Sequence, residues 1–199
     1  LMNENYEQPD LAAGHEAAII QGMHCIQPWG QPAGERPRVR LLGSGAILRE
    51  VLQAAQHLQQ DWGVDCEVWS VTSFSELERE ARAVSRWNRM HPMQPPRRSH
   101  LQDCLSGEVP VVAATDYIRA WPQLIAEHLS APYVVLGTDG FGRSDTRAAL
   151  RDFFEVNARH VGLAALDALR RLGQIEPEQC HRALAQAGID PEAPSPWVV

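Results

Sequence analysis

The sequence predicts an α/β fold of three layers, with helices on both faces of a small, mostly parallel sheet. Short apolar segments alternate with amphipathic segments between residues 39 and 136, and each apolar segment stops at glycine or at small polar residues. Helices placed between strands act as crossover connections, which make the strands parallel. With 199 residues and 44% hydrophobic content, the chain is long enough to bury one sizeable core.

Four strands are predicted, at residues 39–42, 66–71, 109–114 and 133–136. The helix after the first strand has apolar residues at helical spacing, namely Ile47, Val51, Ala54, Ala55, Leu58 and Trp62. The helix after the second strand begins at a capping box, in which the Ser73 hydroxyl and the Glu76 carboxylate each satisfy an amide. This helix is expected to bury Leu77, Ala81 and Val84.

Residues 91–107 are predicted to be irregular, because proline, arginine and histidine dominate them. A helix is expected after the third strand, with Ile118, Trp121, Ile125 and Leu129 on its apolar face. Pro122 either kinks this helix or marks its first turn. From Asp145 onward the pattern is helical, with one helix closed by Gly173 and a final helix over about residues 177–187.

The N-terminal part of the chain has a different character. We expect residues 1–13 to be extended and residues 14–25 to form a short helix, followed by a loop rich in proline and glycine. The opening residues look like the end of a strand entered midway, which suggests a fragment of a longer protein. We therefore interpret residues 1–37 as an arm from a preceding domain, and residues 38–199 as the C-terminal α/β domain.

The composition excludes several classes of function. The net charge of −7 disfavours nucleic acid and anionic membranes as partners. All 18 basic residues are arginine, so neither a Schiff-base lysine nor a P-loop lysine is present. The four cysteines are scattered, which predicts reduced thiols in the cytoplasm, and no apolar run approaches the ~18 residues of a membrane span.

Two short motifs lie at predicted strand ends, where α/β sheets bind ligands. Gly43-Ser44-Gly45 lacks the third glycine of a dinucleotide fingerprint, because Leu48 occupies that position. Asp65 and Glu67, the possible ribose-binding acids, lie at the start of the next strand instead of its end. A turn with positive φ is therefore favoured over a nucleotide site. At Thr115-Asp116, a helix cap is favoured over a catalytic acid.

The loop at residues 137–145 has the richest chemistry in the chain. Asp139 and Asp145 can accept hydrogen bonds, and Arg143 can pair with a carboxylate or a phosphate. Ser144 is expected to cap the following helix. A purely structural interpretation stays open, because aspartates beside glycines form turns and an Arg–Asp pair can hold a loop without catalysis.

No catalytic, cofactor-binding or metal-binding residue can be assigned from the residue types alone. The serines lack a nucleophile-elbow motif, and the histidines and cysteines lack metal-ligand spacing. His91 and His100 lie near Arg97 and Arg98. That arginine pair is interpreted as exposed and basic by default, with an anion or an acidic partner as the alternative.

The segment Asp139-Gly140-Phe141-Gly142-Arg143-Ser144-Asp145 resembles the C-terminal domain of the homodimeric type of pyruvate dehydrogenase E1 components. The resemblance extends over nearly the whole chain, through separate motifs in the same order. These motifs are residues 2–9, 41–51, 68–80, 86–92, 113–125 and 153–169.

The resemblance implies a mostly parallel sheet with one antiparallel edge strand. It also implies a homodimeric parent enzyme in the cytoplasm, with thiamine diphosphate and magnesium as cofactors. Such an enzyme decarboxylates pyruvate and reductively acetylates the lipoyl group of E2, the dihydrolipoyl acetyltransferase. The domain itself is expected to support the dimer and the active-site architecture. The alternatives are another 2-oxo acid dehydrogenase of the transketolase superfamily, or a freestanding regulatory domain that binds a ligand at Gly43–Gly45.

The resemblance does not extend to the cofactor motif. The magnesium motif of such enzymes is Gly-Asp-Gly followed by an Asn-Asn pair, whereas this chain has Thr138-Asp139-Gly140 and no Asn-Asn. We therefore expect that this fragment alone binds neither thiamine diphosphate nor magnesium. The loop at residues 137–145 is interpreted as a brace at an interface between domains or subunits.

Overall fold

One mixed sheet of five strands organises the chain in the computed structural model, which describes residues 9–11, 13–30, 34 and 36–198. The strand order is β1-β3-β2-β4-β5. Strands β2 to β5 run parallel to one another, whereas β1 pairs antiparallel with β3 at one edge of the sheet. The bounds are Met23–Gln27 for β1, Arg38–Gly43 for β2, Asp65–Val71 for β3, Val111–Ala114 for β4 and Tyr133–Leu136 for β5. The predicted α/β class and all four predicted strands are confirmed.

Eight helices surround this sheet in the described residues. They are α1 (Glu16–Ile20), α2 (Leu48–Asp61), α3 (Phe74–Met90), α4 (His100–Cys104), α5 (Ala120–Gln123), α6 (Arg147–Phe153), α7 (Ala158–Arg171) and α8 (Pro177–Ala187). Two short 3₁₀ turns, Gly45–Ile47 and Ala126–His128, accompany them. Among these helices, none combines the length and the apolar character needed to cross a membrane.

The sheet separates two apolar cores, because successive strand residues point to opposite faces. On one face, Val39 and Leu41 of β2 pack with the buried sides of α2 and α7. On the other face, Leu42 and Trp69 pack with Phe74 and Leu77 of α3. This arrangement gives the three layers that the alternation of strands and helices predicts.

The register of β2 and β3 places opposite charges side by side. Arg38 is opposite Asp65, and Arg40 is opposite Glu67. The Arg40 Nε donates to Glu67 Oε2 at 3.0 Å, and the Trp69 indole N–H donates to the same oxygen at 3.0 Å. Asp65 and Glu67 thus form cross-strand ion pairs, which explains both acids without a nucleotide.

The predicted helix over residues 14–25 is only partly correct. Helix α1 ends at Ile20, and β1 begins at Met23, which is fully buried. Gly22 makes the turn between them with φ +108°, and a Cβ there would lie 2.7 Å from the Ser73 carbonyl oxygen. Pairing with β3 therefore overrides the local helical pattern. Most of the extended segment expected at residues 1–13 lies outside the described residues.

The predicted capping box at Ser73 is half formed. The Ser73 hydroxyl accepts from the Glu76 amide at 3.1 Å. The Ser73 amide, however, donates to the Gly22 carbonyl oxygen, and the Glu76 carboxylate binds Arg79 instead. A tertiary contact therefore replaces the second half of the motif.

Two predictions between β3 and β5 need correction. The segment at residues 91–107 contains helix α4, which begins with a complete capping box between Ser99 and Gln102. The single helix expected after β4 is replaced by the short α5, with Pro122 inside it, and by the turn Ala126–His128. Of its predicted apolar face, Ile125 is fully buried, whereas Ile118 and Trp121 are about half exposed, at 48% and 49%.

Candidate functional site

The residues singled out in the sequence come together at one edge of the sheet. Because β2, β4 and β5 run parallel, the segments that follow them lie side by side. These segments are Ser44–Gly45, Thr115–Asp116 and residues 137–145. We call this region the carboxyl edge.

Ser44 and Thr115 connect the ends of β2 and β4. Their hydroxyl oxygens are 2.8 Å apart, and both residues are buried. The Thr115 hydroxyl also accepts from the Tyr117 amide at 3.2 Å. The prediction that Thr115-Asp116 caps a helix is wrong, because α5 begins only at Ala120, where no side chain caps it. Thr115 stabilises a turn instead.

The glycines after β2 have structural roles. Gly45 has φ +56°, which confirms the predicted turn with positive φ. A Cβ on Gly43 would lie 2.8 Å from the Leu48 Cα, so Gly43 permits close contact between strand and helix. This contact explains why Leu48 is tolerated where a dinucleotide site has glycine.

Asp139 attaches the loop at residues 137–145 to the connection that follows β4. Its Oδ1 accepts from the Arg119 amide at 2.9 Å, and its Oδ2 accepts from Arg119 Nε at 2.6 Å. Partial burial acts to raise the pKa of this carboxyl, but the hydrogen bonds and the charge of Arg119 outweigh it and lower the pKa overall. Thr138 adds a hydrogen bond from its hydroxyl to the Asp116 carbonyl oxygen at 2.6 Å.

Arg143, Ser144 and Asp145 lead from the loop into α6. The Arg143 guanidinium is 4.6 Å from the centre of the Phe153 ring. The Ser144 prediction is wrong, because Thr146 caps α6 by accepting from the Ala149 amide at 3.3 Å. Asp145 accepts from the Thr146 amide at 2.6 Å, so it stabilises this turn.

Gly140, Phe141 and Gly142 form the exposed tip of the same loop. Gly140 has φ +90° and borders the C-terminal tail, because a Cβ on it would lie 4.0 Å from the Trp197 Cα. The Phe141 side chain is 95% exposed. An aromatic ring so fully exposed contributes nothing to the core and is available for contact with another surface.

A cavity of about 420 Å³ opens at the carboxyl edge, on the side of α6 and α7. Its apolar floor consists of Ile47, Leu150, Phe154 and Val156. Its polar lining consists of Asp116, Thr138, Arg143, Arg147 and Arg151, next to Gly140 and Gly142. We call it the edge cavity.

Sequence reasoning missed Arg147 and Arg151. The available signal was their spacing of four residues, which places both on one side of a helix. Arg151 is oriented by Glu50 of α2, whose Oε1 is 3.2 Å from Arg151 Nη1. The second oxygen of Glu50 accepts from the Ala158 amide at 3.1 Å. Glu50 thus joins α2, α6 and the start of α7 beside the edge cavity.

An exposed apolar patch lies on the other side of the carboxyl edge, toward α3. It consists of Tyr117, Ile118, Trp121 and Leu124, and Phe141 lies on the neighbouring loop. Exposure of these five side chains ranges from 38% for Leu124 to 95% for Phe141. We call the five residues the apolar patch. Clusters of this kind mark surfaces that contact other proteins or domains.

Metal-ligating side chains are not clustered in the described part of the chain. Within it, no group of three or more histidine, cysteine, aspartate or glutamate residues is placed to hold an ion. His91 stacks on Trp87, with ring centres 4.4 Å apart, and the Arg97 guanidinium carbon lies 3.7 Å from the centre of the same indole ring. These contacts give His91 and Arg97 structural roles.

Comparisons with known proteins identify relatives of this chain. Residues 22–157 match the model of the transketolase-like TK C-terminal domain family. The pyruvate dehydrogenase E1 component of Pseudomonas aeruginosa is 50% identical over 98% of this chain, and that of Cupriavidus necator is 48% identical over 100%. The chain covers 22% of each of these relatives.

A transketolase from Pichia stipitis shares the fold among solved structures. It aligns with a TM-score of 0.59 and 13% sequence identity, over 86% of this chain and 21% of that one. The alignment supports the five-stranded α/β architecture described above.

Proposed function

Because this chain belongs to the family of transketolase-like C-terminal domains, we propose that it is the C-terminal domain of a pyruvate dehydrogenase E1 component. Identity of 48–50% with two such components across essentially the whole chain supports this proposal. The parent enzyme then decarboxylates pyruvate and transfers the acetyl group to a lipoyl group of the E2 acetyltransferase. It works in the cytoplasm as a homodimer, with thiamine diphosphate and magnesium as cofactors.

The residues of this chain do not fit the cofactor of that reaction. The closest match to a magnesium motif is Thr138-Asp139-Gly140, and both carboxylate oxygens of Asp139 are bonded to Arg119. The Arg119 guanidinium, whose Nε is 2.6 Å from Asp139 Oδ2, would repel a divalent cation at this carboxylate. We therefore propose that the cofactors are held by other parts of the parent enzyme, and that this domain has a supporting role.

The apolar patch is the observation that carries this supporting role. Five large apolar side chains are exposed on the connections that follow β4 and β5, where they cost free energy unless another surface covers them. The relatives are several times longer than this chain. We propose that the patch packs against the other domains of the E1 dimer, and that the part of residues 1–37 that precedes β1 connects the two parts.

The proposal is tested in the natural full-length protein by the pair of substitutions Ile118→Asp and Trp121→Asp. Charges placed at the patch should weaken contacts between domains or subunits. We expect the fraction of dimer and the pyruvate-dependent acetylation of a lipoyl domain to fall together. Met93→Asp is the matched control, because Met93 is 92% exposed but lies outside the patch.

Three results would contradict the proposal. If the unaltered full-length protein lacks activity with pyruvate and a lipoyl domain, the E1 assignment is wrong. If the double variant keeps full activity and remains a dimer, the patch does not support the assembly. A natural reading frame that begins near Met2 would favour the freestanding regulatory domain, for which the edge cavity offers a site.

A further inference from the structure

The edge cavity occupies the position at which open α/β sheets bind ligands. After β2 the chain turns into α2 on one face of the sheet, whereas after β4 it passes toward Ile125, which is buried on the opposite face. Neighbouring strands whose connections leave to opposite faces create a crevice between their carboxyl ends. The edge cavity includes Ile47 after β2 and Asp116 after β4, so it opens at this crevice.

The charge of the lining is opposite to that of the whole protein. Three arginines, Arg143, Arg147 and Arg151, line the cavity together with one carboxylate, Asp116. The chain as a whole carries a formal charge of −7. Guanidinium groups bind carboxylates and phosphates through paired hydrogen bonds. A locally positive lining in an acidic protein therefore selects for anions.

The floor of the cavity is apolar, which sets a second requirement for the ligand. Ile47 and Val156 are each 1% exposed and close the base of the cavity, so its accessible hydrocarbon surface comes mainly from Leu150 and Phe154. The volume of about 420 Å³ lies within the range of small-molecule sites, roughly 300–1,000 Å³. An inorganic anion would leave this floor in contact with water, whereas an anion with an apolar body covers it.

We infer that the edge cavity is a binding site for a small organic anion, with a phosphate or carboxylate group at the arginines and an apolar body on the floor. The ligand adds to the contacts these arginines already make, such as that of Arg151 with Glu50. The site goes beyond the proposed E1 function. Four of the five patch residues lie on the connection after β4, whereas Phe141 lies between Gly140 and Gly142 of the cavity lining and therefore borders both surfaces.

Calorimetric titration of the natural full-length protein with phenyl phosphate tests the inference. Inorganic phosphate and phenol each supply one half of the probe, and benzoate replaces the phosphate group by a carboxylate. We expect phenyl phosphate to bind at least tenfold more tightly than either half. Comparison of phenyl phosphate with benzoate, the two whole probes, then distinguishes the anionic groups. The one that binds more tightly identifies the group that the site prefers.

The variant Arg147→Ala should weaken binding of the preferred probe about tenfold, through loss of a charge-assisted hydrogen bond. Arg147 is exposed, so its truncation leaves the core intact. Arg82→Ala is the matched control, because Arg82 is an exposed arginine on α3, paired with Glu78. It should bind the probe as the unaltered protein does.

Several outcomes would overturn the inference. These are no binding of either whole probe, equal affinity for inorganic phosphate, or equal losses in Arg147→Ala and Arg82→Ala. Binding is measured without turnover, so it is independent of the E1 assignment. A protein that binds the probe but does not convert pyruvate would contradict the proposed function alone.

Discussion

At the scale of single residues, the buried carboxylate of Glu67 needs a counter-charge and hydrogen-bond donors, because burial removes it from water. It is paired with Arg40, whose Nη1 also donates to the Ser106 carbonyl oxygen at 2.7 Å, and it accepts from the Trp69 indole. Glu67 and Arg40 are each 8% exposed. A buried ion pair of this kind contributes little net stability, but removal of one partner leaves a buried charge without compensation.

Glu67→Ala should therefore lower the free energy of unfolding by about 3–5 kcal/mol, because Arg40 stays buried without its counter-charge. The control is Asp103→Ala, which removes an acid from an exposed pair with Arg98 and should cost less than about 1 kcal/mol. Urea denaturation at neutral pH measures both values. Equal losses in the two variants would show that the Glu67 pair behaves as a surface pair.

The thiols provide a second prediction at this scale. All four cysteines, each in the described part of the chain, are free. Burial, followed by nearby acids, raises the pKa of Cys25 to about 11, of Cys66 to about 12 and of Cys104 to about 11. Since the thiolate is the reactive form, alkylation of these three at pH 7.5 should be at least about 100-fold slower than in urea, with Cys66 the slowest. Fast labelling of Cys66 in the folded protein would contradict this.

At the scale of elements, the chain shows which features a local pattern can predict. The strands β2 to β5 and the helices α2 and α7 follow from apolar periodicity, because each buries a face along most of its length. Helices α3 and α8 also follow the predicted bounds, although α3 buries only its first half and α8 buries only Ala183. Strand β1 was missed because its stability depends on β3, which is distant in sequence. The attachment of Asp139 was missed for the same reason, since its partner Arg119 lies twenty positions away.

The Arg119–Asp139 attachment leads to a prediction that depends on pH. The pKa of Asp139 is lowered from 3.8 in the folded protein, so the unfolded chain binds a proton more readily. The stabilisation is therefore complete above pH 3.8 and is lost as the pH falls through the lowered pKa. At pH 7, Asp139→Asn should be less stable than the unaltered protein by roughly 0.2–1 kcal/mol, as for other exposed pairs.

Urea denaturation at pH 7 and at pH 2.5 tests this expectation. The difference between the two proteins should be smaller at the lower pH, because Asp139 takes up its proton first in the unfolded chain once the pH falls below 3.8. Asp190→Asn is a suitable control, because Asp190 lies on the exposed tail and its interaction with the Glu192 amide is local. A difference that stays constant with pH would exclude the ion pair as its cause.

At the scale of the whole molecule, stability depends on histidines that fold in the neutral form. Burial lowers the pKa of His160; the charge of Asp152 opposes this shift, and the charge of Arg159 adds to it. The ring also contacts the Asn157 side chain, with Nδ1 2.8 Å from Oδ1. The pKa of His24 on β1 is also lowered, by burial first and by the neighbouring His15 second.

Acid should therefore destabilise the fold before its carboxylates titrate. With folded pKa values below 6.5, the unfolded state binds more protons, so stability is complete above pH 6.5 and falls as the pH is lowered through the window beneath it. Thermal unfolding scans between pH 7.5 and 5 should show a steady decrease in Tm. The decrease should be smaller in His160→Gln, and an unchanged slope in that variant would assign the effect to other groups.

The division of the carboxyl edge by the sheet also has a consequence for sequence divergence. The apolar patch and the edge cavity use separate side chains and meet only at the loop of Phe141, whose neighbours Gly140 and Gly142 line the cavity. Substitutions at the four patch residues after β4 therefore leave the arginines of the cavity unchanged. Selection on assembly and selection on a small ligand can therefore act independently within one domain. Across related chains, the five patch residues should change together with the surfaces that cover them. The arginines of α6 should vary independently of the patch.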